Sequence, residues 1–149
     1  MSPLSAGGEE NEAVPNHAAS NLSALNLKRI KATEEGGGHR NWPEQLKLER
    51  HKSLSGHADA YGRMAWNAPA SGLTTRCISY PNGRFGHPEQ NRAVGVREAA
   101  CLQTFPESFI FKGVIASMAR QIGNAAPVML AERIGERFKE HLNGVGSLS

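Results

Sequence analysis

Cysteine is nearly absent. Only Cys77 and Cys101 occur in 149 residues, with no Cys-x-x-Cys and no His-x-x-x-His pair beside them. A disulfide framework and a structural zinc site are therefore not expected, and no metal ligand is assigned. Two thiols without a framework fit a reducing setting, so a cytoplasmic protein is expected. No apolar run approaches the roughly 18 residues that a membrane-spanning helix needs. The opening Met1-Ser2-Pro3-Leu4-Ser5-Ala6-Gly7-Gly8 has neither a basic start nor an apolar stretch, so no secretion signal is expected. No internal repeat is visible. Hydrophobic residues reach only 39 %, but the 16 glycines bring the total to an ordinary globular level, and a folded core is plausible.

Charge is unevenly placed. Residues 1–26 hold three acids (Glu9, Glu10, Glu12) and no Lys or Arg, whereas residues 27–97 hold twelve Lys or Arg against six Asp or Glu. Residues 98–149 hold five of each. The middle of the chain thus carries the basic excess. Such a segment suits phosphates, whose neutralisation releases counterions, or it is a solvated face with a few extra bases.

Pattern along the chain suggests its organisation. Residues 1–16 are Ser, Gly, Glu, Asn and Pro with few large apolar groups, too little to offset the entropy of ordering, and read as a flexible leader. Leu22, Leu25, Leu27 and Ile30 suggest a weak helix or irregular packing, and Gly36-Gly37-Gly38 reads as a surface turn. Residues 61–66 and 73–80 are rich in β-branched and aromatic side chains and read as strands; Asn82-Gly83 marks a tight turn after the second. Beyond Val94 the period becomes helical. Helices are expected over 96–104, closed by Pro106, over 114–122, stopped by Gly123, and over 127–142. In the last, Val128, Ala131, Ile134, Phe138 and Leu142 form one apolar stripe, with Pro127 in the first turn and Gly144 as a stop.

Two strings stand out: Val96-Arg97-Glu98-Ala99-Ala100-Cys101-Leu102-Gln103-Thr104-Phe105-Pro106 and Arg120-Gln121-Ile122-Gly123-Asn124-Ala125-Ala126-Pro127. They resemble the last two motifs of the DNA (cytosine-5) methyltransferases, in that family's order and at roughly its spacing. The resemblance runs from about Asn16 to Phe138. Tyr61-Gly62-Arg63-Met64-Ala65-Trp66 and Gly83-Arg84-Phe85-Gly86-His87-Pro88-Glu89-Gln90-Asn91-Arg92 are similar to recognition-domain segments of one subgroup. The implied fold is α+β. An irregular β-rich DNA-recognition lobe (17–95) would be followed by C-terminal helices (96–149) that complete an S-adenosylmethionine-dependent methyltransferase fold, whose sheet lies outside this chain.

The resemblance also distributes roles. It makes Arg97 and Glu98 structural: a guanidinium can bridge carbonyls and a carboxylate at once. It makes Gly123, Asn124 and Ala125 a partial wall for S-adenosylmethionine, with Asn124 heading the next helix, where a carboxylate is welcome. The residues alone equally allow a plain helix stop and cap. Arg63, Thr74, Thr75, Arg76, Arg84, His87 and Arg92 are its DNA-binding candidates, since hydroxyls and guanidiniums suit phosphates and base edges. Thr74 and Thr75 can also be β-formers on a wet face, and Arg84, His87 and Arg92 can meet DNA or face solvent. Gly72-Leu73 stands where the family often has Thr-Leu, which removes one hydroxyl donor.

Family features are also missing. No Pro-Cys, no Glu-Asn-Val, no Gln-x-Arg-x-Arg and no Gly-rich first motif occurs, and a complete enzyme of this kind would be about twice as long. No catalytic residue is assigned, and both cysteines are expected to be small packing residues. The implied partners are double-stranded DNA and a larger methyltransferase chain that carries the nucleophile. The alternative is an inactive remnant or a stand-alone DNA-binding module.

Overall fold

The computed structural model describes residues 14–49 and 59–145. Most of the expected leader, 1–13, lies outside the described residues. Its last residue, Asn16, is built into the fold: the side chain donates through Nδ2 to the Phe111 carbonyl (3.0 Å) and accepts the Phe111 N–H at Oδ1 (2.7 Å).

Four α-helices are present among the described residues: α1 (Ala24–Lys31), α2 (Val96–Leu102), α3 (Ile115–Asn124) and α4 (Val128–Val145). Ser23 caps α1 by accepting the Asn26 N–H, and Lys28, Arg29 and Lys31 suit its C-terminal dipole. In α2, Glu98 reaches back to the Gly95 N–H at 2.7 Å, satisfying one amide at the head of the helix. Thr104 then takes a left-handed backbone (φ +59°) that ends the turn before Pro106.

The expected β-rich lobe is not seen among the described residues. Among the described residues there is no continuous strand; isolated bridges join Arg63 to Gly86 (parallel) and Gly86 to Ala93 (antiparallel). Residues 61–66, with Tyr61 in the left-handed region (φ +57°), form no strand and split their bonds. Gly62 and Met64 pair with Gly83 and Gly86, while Arg63 N–H donates to Gly37 and Met64 accepts from Gly36. Residues 73–80 turn instead of extending, with Cys77 N–H bonded to Thr74 and Ser79 N–H to Arg76. The β-branched content reported fit to a packed surface rather than a ladder, and packing decided otherwise.

Two apolar clusters form the core. One gathers Met64, Cys77, Ile78, Phe85, Val96 and Ile122, with others. The second holds Ile30, Trp42, Tyr61, Tyr80 and Ala93. In it, Trp42 and Tyr80 meet Tyr61 edge-on at 5.2 and 5.5 Å, an arrangement favoured by ring quadrupoles. The Thr33 hydroxyl accepts the Trp42 indole N–H (2.7 Å) and bonds the Tyr80 hydroxyl (2.8 Å).

Helix α4 contrasts with this core. It is fastened at its head, where Val128 N–H meets the Gln103 carbonyl and Met129 N–H the Thr104 hydroxyl. Along its length Met129, Leu130, Ile134, Phe138 and Leu142 are exposed.

Candidate functional site

Buried arginines organise the middle of the chain. Arg63, 4 % exposed, reaches five carbonyls and one side-chain amide. Its Nε donates to Thr33 O (2.8 Å), Nη2 to Ile30 O (2.6 Å) and Asn91 Oδ1 (3.0 Å), and Nη1 to the His87 and Gln90 carbonyls (2.7 and 2.8 Å). This side chain holds α1 to the loop of residues 87–91. It lies inside the fold, with its donors directed at protein acceptors.

Arg92 and His87 belong to the same interior network. Arg92 forks onto Glu98, with Nη1 to Oε2 and Nη2 to Oε1 both at 2.6 Å. Burial works to raise the Glu98 carboxyl, but hydrogen bonds from Arg92 and Gly95 outweigh it and hold the group below its ordinary value. Arg63 and Arg92, both offered by the resemblance as DNA-binding candidates, lie buried in the fold as internal ties. His87 lies beside them, its Nε2 3.8 Å from Glu98 Oε1.

Arg97 makes a third tie. Fully buried, it donates to the Pro15, Pro106 and Phe109 carbonyls at 2.8, 3.3 and 2.6 Å. Arg84 is half-buried, paired with Asp59 at 3.1 Å and donating to the Gly36, Gly37 and Arg63 carbonyls.

Thr74, Thr75 and Arg76 are exposed, on a turn stabilised by the Thr74 hydroxyl accepting the Arg76 N–H (3.3 Å). The Arg76 guanidinium has no partner among the described residues. Thr75, Arg76, Ser20 and Ser79 line a small cleft of about 160 Å³ against α3. This turn is brought directly against Gly123: a Cβ there would lie 2.1 Å from the Thr74 carbonyl oxygen.

That contact revises the Gly-Asn motif. Helix α3 continues through Gly123 and ends at Asn124, so Gly123 does not stop it and Asn124 does not head α4. Gly123 is required by the Thr74 backbone. At the head of α4, the Val128 and Met129 amides are taken by the Gln103 carbonyl and the Thr104 hydroxyl. The Ala125 carbonyl accepts from Gln103 Nε2 (2.9 Å), and its N–H bonds Ile122. Asn124 alone of the three presents an exposed side chain with no hydrogen bond among the described residues.

Neither thiol is set up for attack. Cys77 is fully buried, its Sγ 3.7 Å from the Ala119 carbonyl, and burial pushes its pKa up to about 11. Cys101, expected as a packing residue, is instead exposed at a mostly apolar cavity of about 300 Å³. Partial burial of its sulfur still raises its pKa above the ordinary value.

Sequence reasoning missed two residues. Gln103 joins α2, α3 and α4 by donating to Ile122 O (3.1 Å) and Ala125 O and accepting from Val128. Trp66 is 65 % exposed yet fixed at two points, its backbone N–H on Glu35 (2.8 Å) and its indole N–H on Glu89 (2.9 Å). Both lay inside quoted motifs, but only distant partners reveal their use.

Fold and site together define a loop-built domain, stiffened by buried arginines, whose own cysteines form no nucleophilic centre. Comparison gives the family: the C-5 cytosine-specific DNA methylases match over residues 8–140, and the chain belongs to that family. It is 49 % identical over 135 residues to the type II methylase M.HgiDII of Herpetosiphon aurantiacus, covering 87 % of this chain and 38 % of that protein. It is 36 % identical over 133 residues to the type II methyltransferase M1.HphI of Haemophilus parahaemolyticus, covering 89 % of this chain and 32 % of that one. Against DNA (cytosine-5)-methyltransferase 1 of Mus musculus it is 44 % identical over 93 residues, 60 % of this chain and 5 % of that protein. The chain thus spans about a third of the two bacterial relatives. Among the described residues, no helix is long and apolar enough to cross a membrane, and no cluster of three or more His, Cys, Asp or Glu is placed to hold a metal.

Proposed function

We propose that this chain is the DNA-recognising C-terminal portion of a DNA (cytosine-5) methyltransferase. Methyl transfer from S-adenosylmethionine to cytosine in DNA then requires a larger chain that supplies the catalytic Cys. The observation that carries this reading is the state of the two thiols: one is sealed in the core, and the other has a raised pKa. A cytosine ring carbon needs a thiolate, and this chain supplies none that is poised.

In that complex S-adenosylmethionine provides the methyl group. Asn124 contributes one amide to its amino-acid end, and the rest of the pocket comes from the larger chain. The exposed turn carrying Thr74, Thr75 and Arg76, with Arg84 nearby in sequence, meets the DNA. Arg76 supplies the charge, since its guanidinium is not engaged within the fold. Arg63, His87 and Arg92 act from behind, fixing the loop. The exposed side of α4 packs on the larger chain, as a contiguous apolar surface of this kind marks an interface.

Co-expression with a family member's N-terminal part carrying the Pro-Cys motif tests the reading. Protection of cellular DNA from a methylation-sensitive digest is expected only when both chains are present. Protection by this chain alone, or none with both folded and associated, overturns it; the latter outcome favours the inactive remnant.

A further inference from the structure

The geometry points to His87 as a positioning residue whose neutral imidazole clasps the loop of residues 87–91 and, through Glu89, sets the direction of the exposed Trp66 indole. The ring Nδ1 accepts two backbone N–H groups, from Glu89 at 3.1 Å and Gln90 at 3.0 Å. An atom that accepts two N–H bonds holds no proton, so the ring proton sits on Nε2, facing Glu98. Arg63 grips the same loop by its carbonyls, at His87 and Gln90, so the segment is fixed through its acceptors by an arginine and through its donors by a histidine.

Glu89 links this clasp to the surface. Its backbone is bound to His87, and its Oε1 accepts the Trp66 indole N–H at 2.9 Å. The Trp66 ring also meets the His87 ring edge-on, with centroids 5.8 Å apart and planes at 86°. Both contacts that orient the indole ring therefore depend on His87.

Protonating Nδ1 would remove its lone pair and confront two N–H groups with a third. The charges around the ring do not rescue that state. Glu98, from α2, is the nearest carboxylate, but Arg92 already engages both its oxygens and Gly95 one of them. Arg92 and Arg63 oppose a second positive charge, and Glu89 and Glu98 favour it. Burial, first, and Arg92 carry the balance, and hold the imidazole below its ordinary value of 6.5. The clasp is therefore closed at neutral pH and opens on acidification below that value. This conclusion is independent of the methyltransferase reading, since the test reads the indole and not activity.

The full chain contains two tryptophans, and their indole N–H groups give two nitrogen-15 resonances, assigned with Trp66→Phe. On lowering the pH, the Trp66 resonance should shift with a midpoint below 6.5. His87→Asn retains an acceptor near the Nδ1 position and cannot titrate, so the shift should vanish in the same window. Glu89→Gln keeps an indole acceptor without a titrating carboxylate, and the His87-driven shift should persist there. A Trp66 resonance that stays constant from neutral pH until the chain unfolds overturns the proposal. So does a shift unchanged in His87→Asn, or one lost in Glu89→Gln while His87 still titrates.

Discussion

The carbonyl oxygen of Thr74 rests 2.1 Å from the position a Cβ on Gly123 would occupy, and the Thr74 carbonyl carbon and Thr75 nitrogen lie at 2.2 and 2.5 Å from it. One glycine hydrogen is thus the space that lets the exposed turn dock on α3. Gly123→Ala forces backbone apart, since no flexible side chain is available to give way. Overpacking of this kind costs about 1–3 kcal/mol and sometimes more. A lowered thermal midpoint is expected for Gly123→Ala, while Gly135→Ala, with open space at its Cβ, should not lower it. Equal midpoints for the two variants would contradict the docking role.

The arginines should rank by burial and by what they hold. Arg97→Ala leaves three carbonyls without their donor, and Arg63→Ala leaves more, each unsatisfied buried group costing about 1–3 kcal/mol. Arg84→Ala removes a half-exposed pair with Asp59 and contacts that water can replace. Urea melts should therefore show larger losses for Arg63→Ala and Arg97→Ala than for Arg84→Ala. A loss as large for Arg84→Ala would refute the ordering.

Acid should weaken the fold in two steps. His87 binds its proton less readily in the fold than in the unfolded chain. Its contribution is thus complete above the unfolded value of 6.5 and declines as pH falls toward the lowered folded value. Glu98 is also held below its ordinary value of 4.5, so its contribution is present above that value and lost as pH falls through the folded one. Stability measured by denaturant should drop first below about pH 6.5 and again in the carboxylate range. His87→Asn should abolish the first step only.

The thiols should differ in access and agree in reluctance. Maleimide should label Cys101 in the folded chain and Cys77 only after unfolding. Neither should trap a duplex oligonucleotide bearing 5-fluorocytosine with S-adenosylmethionine present. A covalent adduct at either residue in the isolated chain would defeat the proposed need for a second polypeptide.

Phe138 is exposed near the middle of the bare side of α4. Phe138→Glu should leave the isolated chain's stability within about 0.5 kcal/mol, as surface changes usually do. Co-purification with the catalytic chain should be lost. Retained association would place the interface elsewhere.

Sequence by itself determined the helical C-terminal third and the family, because both are local signals. Apolar residues at helical spacing forecast α3 and α4 to within about three residues, and the Arg-Glu and Gly-Asn strings are contiguous motifs. Tertiary structure decided the use of nearly every polar side chain between Arg63 and Glu98. Nothing local distinguishes Arg63, folded inward onto carbonyls at residues 30, 33, 87 and 90, from Arg76, left open to solvent. The same holds for the absent strands: β propensity describes a side chain's fit to a pleated surface, and residues 73–80 had no such surface to join. Gly123 combines both levels. Its identity is written in the motif, but the reason for it, a carbonyl from 49 residues earlier pressed against its Cα, exists only once the chain has folded.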